Sequence, residues 1–90
     1  MFKYTQHTLD KVEELLDEAG YTIRYEKGNF KSGYCILENK KVAVVNKFFD
    51  VESRINALMD MVTEIEVDET LLSENSKKLL TQVLQTRSES

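Results

Sequence analysis

The sequence contains no proline, no tryptophan, one cysteine and one histidine, and only three glycines. With one cysteine, Cys35, no internal disulfide can form, so the chain must hold itself together by packing. With one histidine, His7, imidazole chemistry rests on a single side chain at the polar start of a helix. His7 and Cys35 are the only typical nitrogen and sulfur donors, whereas a zinc site needs three or four ligands. No apolar run approaches the ~20 residues of a membrane-crossing helix. Nothing at the start has the basic-then-apolar pattern of a secretion signal. These absences set the first expectations: a cytoplasmic, reducing location, no membrane, no metal and no cofactor.

What is present fits one small folded domain. Of the 90 residues 41% are apolar and 31% charged, too apolar a mixture for a disordered chain. We place the domain at residues 1–85, followed by a frayed polar tail at 86–90. A chain of this size buries only about 60–65% of the surface its unfolded form exposes, so its margin of stability is thin. The net charge of −4 is unevenly distributed. Residues 21–47 carry Arg24, Lys27, Lys31, Lys40, Lys41 and Lys47 against only Glu26 and Glu38, while the segments on either side are acidic. A basic middle between acidic ends fits strands and helices that attract within one domain. It also makes those six residues the candidate nucleic-acid patch. The acidic whole opposes a polyanionic partner at long range.

Periodicity supplies the elements. Leu9, Val12, Leu15, Leu16 and Ala19 recur at helical spacing, with Thr8 as a cap and Gly20 as a stop. Tyr21 to Glu26 alternates apolar and polar residues, as a strand with one buried face does. Residues 27–33, rich in glycine, asparagine and lysine, read as a turn. Tyr34 to Glu38 and Lys41 to Asn46 read as two further strands joined at Asn39-Lys40. Asp50 caps a helix over Val51–Glu64, and a last helical region ends near Gln85, with Ser73 and Ser76 as internal caps. The fold class expected is α+β, in the order α-β-β-β-α-α. Short connections imply a three-stranded antiparallel meander, second strand in the middle, with the helices packed on the sheet.

Tyr34-Cys35-Ile36-Leu37 and Val42-Ala43-Val44-Val45 are apolar on both faces, and a strand of that kind needs cover on both sides. In a meander the third strand lies at an edge, so its cover must come from another element or another chain. The helix over Val51–Glu64 also carries a wide apolar arc, with Met61 and Ile65 beyond its main stripe. Val42, Val44 and Met61 are therefore the candidate self-association residues. Phe30, at the tip of the long turn between Lys27 and Lys31, is the candidate contact for a protein partner.

No catalytic signature is complete. Gly28 and Gly33 have the glycine spacing of a phosphate-binding loop, but Tyr34 and Cys35 stand where that loop needs lysine and a hydroxyl residue. Cys35, mid-strand, reads as a packing residue, because a reactive thiolate needs a base or a helix N-terminus beside it. The carboxylate pairs Glu13/Asp17 and Asp60/Glu64 read as the wet faces of amphipathic helices.

The run from Tyr21 to Val62 resembles the central part of the ImmA/IrrE-type metallopeptidases in its order of elements. The segment Val45-Asn46-Lys47-Phe48-Phe49-Asp50-Val51-Glu52-Ser53-Arg54-Ile55 is similar to the approach to that family's metal-binding helix. There the family carries His-Glu-x-x-His, with two zinc-binding histidines and a general-base glutamate. This sequence has Met59, Asp60 and Thr63 at those places, so no functional residue carries over. The resemblance implies a related scaffold without the chemistry. The whole chain is also similar to small proteins of bacterial genomes. The expected function is a non-catalytic interaction domain that pairs with itself or a protein partner. The alternatives are nucleic-acid binding through residues 24–47 and a degenerate metallopeptidase-like scaffold.

Overall fold

A computed structural model describes residues 3–27, 33–37 and 40–88, with side chains described outside 33–37 and Ser88. Phe30 and Lys31, two of the expected partner contacts, lie outside the described residues.

The first helix, α1, spans Gln6–Glu18. Its cap is Thr5 and not Thr8: Thr5 is extended, and its hydroxyl accepts from the Thr8 backbone N–H at 3.3 Å. That satisfies one of the donors a helix start leaves without a partner. Gly20 has φ +95°, which reverses the chain into strand β1, Tyr21–Glu26. Strands β2, Gly33–Leu37, and β3, Lys40–Asn46, follow. Helix α2, Val51–Glu64, is capped by Asp50, which accepts from the Ser53 N–H at 2.8 Å. A 3-10 turn at Glu69–Leu71 leads to helix α3, Glu74–Ser88. The Ser73 hydroxyl, just ahead of α3, accepts from the Ser76 N–H at 3.3 Å. The helix thus continues into the segment the sequence reads as a tail, where Arg87 donates to the Asn56 side chain at 2.9 Å.

The antiparallel meander is not what forms. The strand order is β1-β3-β2, with β3 in the middle. β1 runs parallel to β3, pairing Ile23 with Ala43 and Tyr25 with Val45. β2 runs antiparallel to β3, pairing Cys35 with Val42 and Gly33 with Val44. The physical reason lies in the residues of β3. A strand apolar on both faces gains most from the central position, hydrogen-bonded on both sides. The strictly alternating β1 tolerates an edge. Residues 27–32 are long enough to pass one strand, a step of roughly 10 Å from strand to second neighbour.

The helices cover one face of this sheet. Tyr21, Ala43 and Val45 join Leu9, Val12, Leu15 and Leu16 of α1 and Ile55, Leu58, Met59 and Val62 of α2 in one core. Ile23 and Tyr25 pack against it. Helix α3 closes the far side of α1 and α2 with Leu79, Leu80 and Val83, all buried.

Candidate functional site

Alternation along the strands divides the sheet into two faces. Tyr21, Ile23 and Tyr25 share the covered face with Lys41, Ala43 and Val45 by register. Thr22, Arg24 and Glu26 share the other with Val42, Val44 and Asn46. Val42 and Val44 are half-buried and stand outside the core cluster. Among the described residues no helix lies over them. Across the sheet from Val44 are Arg24 on one side and Gly33 on the other. Arg24 turns along its own strand to pair with Glu26 at 3.1 Å, with both groups open to solvent. The result is an apolar centre of two valines with a rim carrying one charge of each sign.

The self-association residues divide accordingly. Val42 and Val44 lie on the uncovered face, whereas Met61 is only 4% exposed, inside the core. The expectation that β3 needs foreign cover as an edge strand is corrected by its central place. Its Ala43 and Val45 side is covered by the chain's own helices, and only its Val42 and Val44 side is left.

The six basic residues do not form one described patch. Arg24 is on the uncovered face in its ion pair. Lys41 is on the covered side, its ammonium 5.6 Å from the centre of the Tyr21 ring. Lys40 and Lys41 begin β3, while Lys27 and Lys47 stand at the opposite end, where the Lys47 N–H donates to the Glu26 carbonyl at 2.8 Å. Lys31 lies outside the described residues.

The sequence reading missed Phe48, the most exposed of the described large apolar side chains at 73%. Its turn is tightly held. The Phe48 N–H donates to Asn46 Oδ1 at 3.0 Å, and Arg54 donates to the carbonyls of Lys47 and Phe49, each at 2.9 Å. The Arg54 guanidinium also lies 4.6 Å from the centre of the Tyr25 ring. A signal was present: of two adjacent phenylalanines ahead of a helix cap, only one can turn inward, and Phe49 is the one packed on the core.

The places where the resembled family has its metal motif are structural here. Met59 is in the core, Asp60 pairs with Arg87 at 3.6 Å, and the Thr63 hydroxyl donates to the Asp60 carbonyl. Among the described residues no group of three or more histidine, cysteine, aspartate or glutamate side chains is placed to hold a metal ion. No described helix is long and apolar enough to cross a membrane. No protein-family model, curated protein or solved structure matches the chain.

Proposed function

We propose that the chain is a non-catalytic protein-interaction domain that pairs with a second copy of itself through the uncovered face of its sheet. The observation that carries this reading is the position of Val42 and Val44: central strand, half-buried, outside the core, and opposite the face that the helices occupy. Two-fold symmetry lays such a patch against its own copy. Arg24 and Glu26, one of each sign on the rim, then meet their opposites across the axis. A patch built on two valines is small beside a standard interface, so the pairing belongs in the micromolar range. The nucleic-acid reading has less behind it, because the described basic residues divide between both faces and both ends of the sheet.

The test is a dilution series followed by methyl NMR. The methyl signals of Val42 and Val44 shift with concentration, while those of Ala43 and Val45, on the covered face, stay fixed. Concentration-independent spectra between about 10 µM and 1 mM overturn the reading, since a micromolar equilibrium must redistribute over that range.

A further inference from the structure

Strand β1 is an edge strand, and its free side opens into a groove of about 500 Å³. The Glu26 carbonyl accepts from Lys47 on the β3 side. Backbone groups alternate direction along a strand, so Arg24 and Thr22 also point to β3. Ile23 and Tyr25 therefore aim their N–H and C=O groups away from the sheet, into the groove. The opposite wall is α1, which lines the groove with Asp10, Glu13, Glu14 and Asp17. Natural sheets commonly guard such an edge with lysine or proline. This edge has neither: its charged side chains, Arg24 and Glu26, pair with each other on the other face of the sheet, and the row beside it is of one sign. No ion pair to a described basic residue neutralises these carboxylates.

The two walls have matching repeats. Along α1, Asp10 to Glu14 and Glu13 to Asp17 are four-residue steps, about 6 Å each. Along an extended chain, alternate side chains are about 6.7 Å apart. A strand added to β1 would take its backbone hydrogen bonds from Ile23 and Tyr25 and set every second side chain beside a carboxylate. We propose that this groove binds an extended basic segment of a partner protein, with lysine or arginine at alternate positions, by strand addition to β1. The site is separate from the valine face: it lies at the outer edge of β1 and uses none of the residues assigned to self-pairing.

Fluorescence anisotropy with a labelled hexapeptide alternating lysine and valine tests this. The controls are the same peptide with glutamate for lysine, and a lysine-valine peptide N-methylated at alternate backbone nitrogens. The expected result is saturable binding of the first peptide only, with slowed amide exchange at Ile23 and Tyr25. The triple variant Asp10→Asn, Glu14→Gln, Asp17→Asn should bind about tenfold more weakly. These three side chains are exposed, and Glu13 is spared because it holds Tyr25, so the variant should keep the native circular dichroism spectrum. Equal binding of the N-methylated peptide, undiminished affinity in the triple variant, unchanged amide exchange, or no saturable binding each overturns the proposal. In the last case the carboxylates only keep the edge from pairing.

Discussion

Two side chains join elements that the sequence keeps apart, and each makes stability depend on pH in a definite direction. The Tyr25 hydroxyl donates to Glu13 across the gap between β1 and α1. Burial first, and then Glu13 through its hydrogen bond and charge, push the phenol above the ordinary tyrosine range. The neutral phenol is thus favoured in the folded chain. Its contribution is complete below the ordinary tyrosine value of about 10 and is lost progressively as the pH rises beyond it. Tyr25→Phe should cost roughly 1 kcal/mol in urea unfolding at pH 7, and should flatten the alkaline loss of stability. Glu18 works in the opposite sense. The Ser73 backbone N–H, 2.6 Å from its carboxylate, holds that group below its ordinary range. The stabilisation is present above about pH 4.3 and disappears as acid protonates the folded chain. A melting-temperature profile from pH 6 to pH 2.5 should therefore fall less steeply for Glu18→Gln than for the native chain. Equal slopes would mean that this contact contributes nothing.

At the scale of elements, caps and turns carry the sharpest expectations. Asp50→Ala removes the acceptor for Ser53 and should lower the melting temperature of the chain. Gly20→Ala should cost about 1–2 kcal/mol in urea unfolding, from backbone strain alone, because a methyl group there meets nothing within 4 Å while φ is +95°. Both positions were legible in the sequence, as were the bounds of β1 and α2, because alternation, helical spacing and cap residues act locally. Thr8 directly precedes Leu9 and so reads as the cap, but the helix begins at Gln6 and its cap is Thr5, a start that only the backbone reveals. The pairing of the strands was not legible. Val42-Ala43-Val44-Val45 announced a need for two covered faces, but that need is the same for a central strand and for an edge strand, so it does not decide which strands pair. Sequence order favoured the wrong pairing. The acidic face of α1 looked like an ordinary wet face for a similar reason: nothing in its own spacing says that an open strand edge runs beside it.

For the whole molecule, one side of β3 belongs to the chain's own core, and we propose that the other belongs to a second copy. Two adjacent residues separate these roles. Ala43 is fully buried under the helices, and an unpaired carboxylate there would be strongly disfavoured, so Ala43→Asp should abolish the fold. Val44 faces the other way, and Val44→Asp should leave the circular dichroism spectrum of the monomer in place. The most direct measurement is sedimentation velocity of the native chain and of Val44→Asp at a few hundred micromolar. The native chain should sediment as a particle of two copies and Val44→Asp as a folded single copy. A native chain that sediments as one copy at that concentration, indistinguishable from Val44→Asp, would contradict the proposed pairing.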